Sequence, residues 1–307
     1  MPDPPRLIPV VPGLEILEGE SDGRFPRSHS FVIRGSTNVL VDAGCGPSRL
    51  AALTAGWMPE LLIVSHSHPD HCSDAWRLKD TQVMSPVERS SSFWRIEPQS
   101  VRFAGPSARQ WIRFVTEHLG IREFDADSHF EDGAVFDFGS ISLECHHAPG
   151  HVEDHYVFFE PNRGIAITFD IDLSGFGPWY GHVESDIDLF LASIRMVVDL
   201  QPRMLLSSHK GLISDDIVGR LDRFAAVVDQ RDERILALIQ RPRTIAELVV
   251  ESPIYGGHPY PEMPLDYWEG QMITKHLERL ARNGLAVEAV DVSEASHEEV
   301  RWVATHQ

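Results

Sequence analysis

Leu61-Leu62-Ile63-Val64-Ser65-His66-Ser67-His68-Pro69-Asp70-His71 is the stretch on which the reading of this chain turns. Its four leading apolar residues predict a buried strand. Three imidazoles and a carboxylate then crowd into residues 66–71, where that strand ends. Core packing has no use for such a cluster. Neutral imidazole is a ligand for metals such as zinc, and a carboxylate is a harder, charge-neutralising partner. In an extended segment His66 and His68 point the same way, because side chains alternate with a period of two. If the chain then turns into a helix, Asp70 and His71 face a second point close by. One loop can thus hold part of two metal sites.

Three more segments end apolar strands in groups of the same kind. Ala148-Pro149-Gly150-His151 puts a histidine on a tight turn, Thr168-Phe169-Asp170 ends in a carboxylate, and Ser207-Ser208-His209-Lys210-Gly211 ends in a histidine. In a layered α/β fold, strand ends converge on one edge. The other elements suit that body. Phe31–Ile33 and Val39–Val41 form a hairpin that ends in Asp42-Ala43-Gly44, and a helix follows around Ser48–Ala55. Apolar spacing predicts a helix over Ser107–Leu119 and strands over Ala134–His146, Tyr156–Glu160, Ile165–Phe169 and Met204–Ser208. Ser185–Leu200 reads as an amphipathic helix with Ser185 as its N-cap.

After residue 213 the pattern changes. A short helix over Asp232–Gln240 is expected, then one opened by the Thr244-Ile245-Ala246-Glu247 capping box. A third runs over Asp266–Asn283 and stops at Gly284, and Leu285–Val290 pairs with Glu299–Ala304. Three helices and a two-stranded wing outline a winged helix, so the chain divides into domains 1–213 and 214–307.

The net charge of −19, from 46 acidic and 27 basic residues, argues against a nucleic-acid partner. No apolar run is long enough to cross a bilayer. The opening Met1-Pro2-Asp3-Pro4-Pro5 lacks the basic and apolar regions of a secretory leader. Cys45, Cys72 and Cys145 form no disulfide framework. The expectation is a cytoplasmic enzyme with a small-molecule substrate and a second copy of itself as the candidate partner.

His-x-His-x-Asp-His, then Gly-His, Asp and His, resembles the metallo-β-lactamase superfamily in kind, order and separation over residues 28–211. The resemblance implies an αββα sandwich, two mixed sheets face to face with helices outside, followed here by the small winged-helix-like domain. It implies that His66, His68 and His151 bind one divalent ion, that Asp70, His71 and His209 bind another, and that Asp170 bridges them. Zinc is the first expectation, and iron or manganese take the same ligands. Asp42 matches the family's Asp-x-Gly turn and would order the metal loop. One departure stands out: Phe169 occupies the place of the usual glycine before the bridging aspartate, and Asp172 offers a rival bridge. His155 reads as a packing or supporting residue, and Cys72 as a buried thiol facing away from the metals.

Two cations sharing a water would lower its pKa and make hydroxide available against a carbonyl or phosphoryl centre. Asp70 would orient it and take its proton. The glycine-rich loop Gly175–His182 follows the bridge, so Tyr180 or His182 is the candidate to hold an oxyanion or pass a proton. Trp94, Trp111, Phe114, Phe176, Trp179 and Tyr180 are enough aromatics to line a cleft. Hydrolysis of a carboxylic substrate (thioester, lactone, ester or β-lactam) is the leading expectation. A phosphodiesterase or ribonuclease comes second, since winged-helix-bearing relatives include one that cleaves RNA. Lys275, Arg279 and Arg282 would serve it, but Asp266, Glu269 and Glu278 share their helix. An iron-dependent redox enzyme is third, weakened by His68 standing where such relatives place a glutamate. A non-catalytic binding module is last, because every ligand position is filled.

Overall fold

The computed structural model describes residues 5–89, 94–257, 260–291 and 299–305. A first sheet runs in sequence order through β1 (Leu7–Val11), β2 (Leu14–Leu17), β3 (Ser30–Arg34), β4 (Asn38–Val41), β5 (Leu61–Ile63), β6 (Gln82–Pro86) and β7 (Ser128–Phe130). Its first four strands are an antiparallel meander, and β4 to β7 are parallel. The second sheet comprises β8 (Val135–Asp137), β9 (Ser142–His147), β10 (Tyr156–Glu160), β11 (Ile165–Phe169), β12 (Met204–Ser207) and β13 (Gly211–Ile213). Within it only β11 and β12 are parallel.

The period of two in each strand decides the layering. Phe31, Ile33, Val39 and Val41 enter one buried cluster together with Phe158, Ile165, Ile167 and Phe169 of the second sheet. Val32 and Leu40, pointing the other way, join a cluster with α1 (Pro47–Thr54), α3 (Ile96–Ala104) and α4 (Ala108–Arg113). Ala166 and Leu205 join a third with α5 (Ile187–Asp199) and α6 (Ile217–Leu238). Helix, sheet, sheet, helix is the order of layers. Between α1 and α3 the metal loop forms a single helical turn, α2 (Pro69–Cys72), with Pro69 at its first position.

Several elements differ from their expected form. The strand over Ala134–His146 is a hairpin, β8 and β9, because Gly139 at φ +77° lets the chain reverse. The helix over Ser107–Leu119 is α4 followed by a wider turn at Phe114–His118. Asp186, rather than Ser185, caps α5 and accepts the N–H of Leu189; Ser185 Oγ donates to the carbonyl of His151 at 2.7 Å instead. The short helix over Asp232–Gln240 is the end of the 22-residue α6.

The Thr244 capping box opens α7 (Ile245–Glu251). Helix α8 (Leu265–Arg282) ends at Asn283 and Gly284, and β14 (Ala286–Asp291) pairs with β15 (Glu299–Ala304). These elements are packed into the body. Ile235, Leu248, Met272 and Leu277 share the cluster of α5, and Met263, Leu265 and Trp268 share that of α3 and α4. Among the described residues no helix is long and apolar enough to cross a membrane.

Candidate metal centre and its cleft

The metal-directed groups meet where the strands end. His66, His68, His151 and Asp170 bring one ligand atom each within 4.8 Å of one another, and Asp70, His71, Asp170 and His209 do the same. Asp170 belongs to both sets. Its Oδ2 faces His151 Nε2 at 2.9 Å, His66 Nε2 at 3.8 Å and His68 Nδ1 at 3.9 Å. Its Oδ1 faces His71 Nε2 at 2.9 Å and His209 Nε2 at 3.4 Å. Asp70 Oδ2 lies 3.4 Å from His209 Nε2 and 3.7 Å from His71 Nε2.

The opposite nitrogen of each ring is held from outside, and that fixes the tautomers. His71 Nδ1–H donates to Asp42 Oδ2 at 2.7 Å, His209 Nδ1–H to the Gly23 carbonyl at 2.7 Å, and His151 Nδ1–H to the Trp179 carbonyl at 2.8 Å. Ser65 Oγ donates to Asp42 Oδ2 at 2.8 Å and so accepts from His66 Nδ1–H at 3.0 Å. His182 Nδ1–H donates to the Phe103 carbonyl at 3.0 Å, which leaves His182 Nε2 to accept from His68 Nε2–H at 2.8 Å. All five ligand rings therefore turn one nitrogen inward.

Such a set fits cations. His66 Nε2, His71 Nε2 and Asp170 Oδ1 are buried with no hydrogen-bond partner, a costly state unless a ligand completes them. His151 Nε2 and His68 Nδ1, both acceptors by their outer bonds, face each other at 2.8 Å. Burial drives the His68 pKa down to about 4, which keeps its lone pair free. At His71 desolvation works in the same direction but is outweighed by Asp170, Asp70 and Asp42, which push it up to about 10. That second pocket calls for positive charge.

Backbone geometry holds the loop in place. A Cβ on Gly44 would stand 1.5 Å from the Asp70 carbonyl oxygen, so the Asp42-Ala43-Gly44 turn lies directly against the metal loop. Asp42 also accepts the Ser65 N–H at 2.7 Å. His155 donates from Nδ1 to the Ala148 carbonyl at 3.0 Å and accepts the Asp170 N–H on Nε2 at 3.3 Å, so it seats the shared carboxylate by its backbone. Cys72 Sγ turns to the His68 carbonyl at 3.1 Å, away from both clusters. Asp172 lines the cleft but belongs to neither cluster, and its Oδ1 accepts the Ser174 N–H at 2.9 Å.

Of the two other expected catalytic residues, His182 lines the cleft and Tyr180 does not. His182 is 2% exposed and both its ring nitrogens are committed, so it orients His68 and has no free nitrogen to offer a substrate. Tyr180 is absent from the cleft lining. Its hydroxyl meets His276 Nε2 at 2.7 Å and accepts from Arg231 at 2.8 Å inside the core.

Arg102 is a supporting residue that sequence reasoning missed. Half-buried beside the loop, it pairs with Asp154 at 2.6 Å and with Glu184, and bonds Ser67 Oγ; Asp154 in turn accepts the Ser67 N–H at 2.9 Å. These partners lie 35 to 82 residues from it in the chain, and no local pattern marks such pairs.

Both clusters form one side of a cleft of about 380 Å³, near the low end for small-molecule sites. Phe103, Trp111, Phe114, Phe176 and Trp179 line it from the body, and Tyr255, Met263, Leu265 and Trp268 from the C-terminal segment. Trp94, expected among the liners, is buried and stacks on Trp111 at 6.2 Å.

Comparison with known proteins agrees with this geometry. The chain is 22% identical over 272 residues to an atrochrysone carboxyl ACP thioesterase of Claviceps purpurea (83% of this chain, 76% of the relative). It is 24% identical over 251 residues to a hydroxyacylglutathione hydrolase of Mesorhizobium japonicum (80% and 83%). Among solved structures, a metallo-β-lactamase family protein from Thermus thermophilus superposes with a TM-score of 0.74 at 20% identity, covering 96% of this chain and 99% of that one. A β-lactamase domain protein from Burkholderia ambifaria gives 0.73 at 16% identity, covering 99% and 95%. These likenesses extend the fold over nearly the whole chain, its C-terminal segment included. Residues 23–209 match the model of the metallo-β-lactamase superfamily, and the chain belongs to that superfamily.

Proposed function

We propose that this protein is a dinuclear metallohydrolase of carboxylic acyl substrates, thioesters before lactones, esters or β-lactams. The observation that carries the reading is the pair of clusters sharing Asp170, with one nitrogen of every ring turned inward at the side of an aromatic cleft. His66, His68 and His151 would hold one divalent ion, Asp70, His71 and His209 the other, and Asp170 would give one oxygen to each. Two such ions, zinc first and iron or manganese as alternatives, would supply Lewis acidity that brings water's pKa towards neutrality and polarises a carbonyl.

The chain's own groups do the rest. Asp70 faces the cleft and is the base that orients water and takes its proton. The aromatic wall aligns the acyl group and excludes bulk water. Asp42, Ser65 and His182 keep the ligand rings in register. Water adds across the acyl carbon–sulfur bond, giving a carboxylate, a thiol and one proton released to solvent. The names of the curated relatives, a thioesterase and an acylglutathione hydrolase, support this choice of ester.

We read residues 214–307 as a winged-helix-like domain after a hydrolase domain over 1–213, with the former supplying part of the cleft wall. Three free, buried cysteines suit a reducing cytoplasm, and a homodimer is open to test by oligomeric mass. Against the phosphodiesterase reading stand the partners of the α8 cations: Arg279 pairs with Asp188, Asp229 and Asp232, and Arg282 with Asp188. Metal analysis after isolation without chelator and reloading should give about two ions per chain, by the ligand count. A panel of acyl thioesters, β-lactams and phosphodiesters should show metal-dependent turnover of the thioesters. One equivalent of metal at saturation, or RNA cleavage without thioester turnover, would sink the reading.

A further inference from the structure

The cleft has two unlike ends. Aromatic rings stand beside the cluster of His66, His68 and His151. His68 lies 5.2 Å from Phe103 and 5.6 Å from Trp179, and Trp179 lies 5.5 Å from Trp268, between ring centroids. On the side of His209 the lining carries Arg24 and Lys210. Lys210 follows His209 in the chain, and Arg24 follows Gly23, whose carbonyl holds the His209 ring at 2.7 Å. Both cations are exposed, and neither side chain has a hydrogen-bond or ion-pair partner among the described residues. The other charged liner outside the two clusters, Asp172, already accepts the Ser174 N–H.

A chain of net charge −19 repels anions at long range. Two unpartnered cations at the rim place positive charge beside the cleft, and exposed cations contribute little to folding. Their use is at the cleft. We propose that the substrate is amphiphilic: an aromatic or long apolar acyl group lies against Phe103, Trp179 and Trp268, and a carboxylate or phosphate of the same molecule is held by Arg24 and Lys210. The bond to be cut then falls between the two ends, beside the shared carboxylate of Asp170. The inference rests on the hydrolase reading for what happens to that bond, but its binding claim stands separately.

The test uses three hydrolysis-resistant amides with a common naphthylacetyl group. One is neutral, one carries a phosphate on the amine half, and one carries a carboxylate on the amine half. Isothermal titration against the metal-loaded full chain should show one anionic amide binding about tenfold tighter than the neutral one at low ionic strength. The preferred amide tells which anion the cations hold. The preference should shrink in high salt and vanish in the Arg24→Gln/Lys210→Gln double variant, whose folding is checked by circular dichroism. Equal binding of all three amides, no binding of any, or an unchanged preference in the double variant overturns the proposal. Because these ligands need no turnover, a protein that binds them with the expected preference but cleaves no thioester would refute the hydrolase reading alone.

Discussion

Phe169 precedes the shared carboxylate with φ at +48°, in the left-handed region that favours glycine. The bend departs from the β11 register and aims Asp170 between the two clusters. A phenylalanine tolerates it because its ring is buried, with centroids 6.0 Å from Phe31 and 5.3 Å from Phe158. The two effects can be weighed. Left-handed backbone costs roughly 1–2 kcal/mol, whereas removing a buried phenylalanine side chain costs roughly 3–5 kcal/mol. Phe169→Gly should therefore destabilise the protein by about 2 kcal/mol net, seen as a lower denaturation midpoint; a midpoint at or above the wild type's would contradict this. At the neighbouring position, Asp170→Asn should weaken the binding of both ions, since each oxygen serves one cluster. Asp172→Asn should leave the stoichiometry nearly intact. Competitive chelator titration separates them, and the reverse result would move the bridge to Asp172.

Helix α6 reaches the site through a single buried cation. Arg231 donates to the Pro178 carbonyl at 2.5 Å, the Phe176 carbonyl at 2.6 Å and the Tyr180 hydroxyl at 2.8 Å, and lies 4.7 Å over the Phe176 ring. It thereby clamps the loop whose Trp179 carbonyl orients His151. Helix α8 closes the network through His276, whose Nδ1–H donates to Asp232 at 2.6 Å. Replacing Arg231 by methionine keeps an unbranched apolar stem but strands two carbonyls. The loss should be about 3 kcal/mol, from several unmade buried hydrogen bonds. Because this loop holds His151 and, through His182, His68, both of the first cluster, the first ion should bind more weakly while the second is little changed. Thermal melting with stepwise metal titration checks both parts, and equal weakening of the two ions would count against the clamp.

At the scale of the molecule, residues beyond 213 finish both outer layers of the sandwich. Met272, Ile273 and Leu277 cover α5 and α6, while Leu265 and Trp268 cover the aromatic cluster of Trp94, Phe103 and Trp111. Trp268 also donates to the Phe103 carbonyl at 2.7 Å, the group that fixes His182. Truncation after Ile213 should expose this surface, raise binding of a hydrophobic dye and lower solubility. A soluble truncated chain with an unchanged melting temperature would show that the segment is dispensable to the fold.

Local signals are legible in the sequence because the physics behind them is local. His66, His68, Asp70 and His71 announce themselves through spacing at a strand end, the Thr244 box through a cap, and the stop of α8 through Asn283-Gly284. Helix α6 is half hidden. Leu221, Phe224, Val228 and Ile235 keep helical spacing, but the charged Arg231 and Asp232 occupy buried positions between them and break the apolar stripe. The supporting partners are hidden altogether. His182 lies 114 residues from His68, and Asp154 lies 87 from Ser67; a hydrogen bond across such separations exists only once the sheets have packed. The sequence by itself determined which side chains are offered as candidate metal ligands. Tertiary structure alone decided which nitrogen of each ring faces inward, which histidine is a support, and which distant rings wall the cleft. Chemistry travels with a residue type, but a tautomer or a cleft wall depends on neighbours that folding brings together.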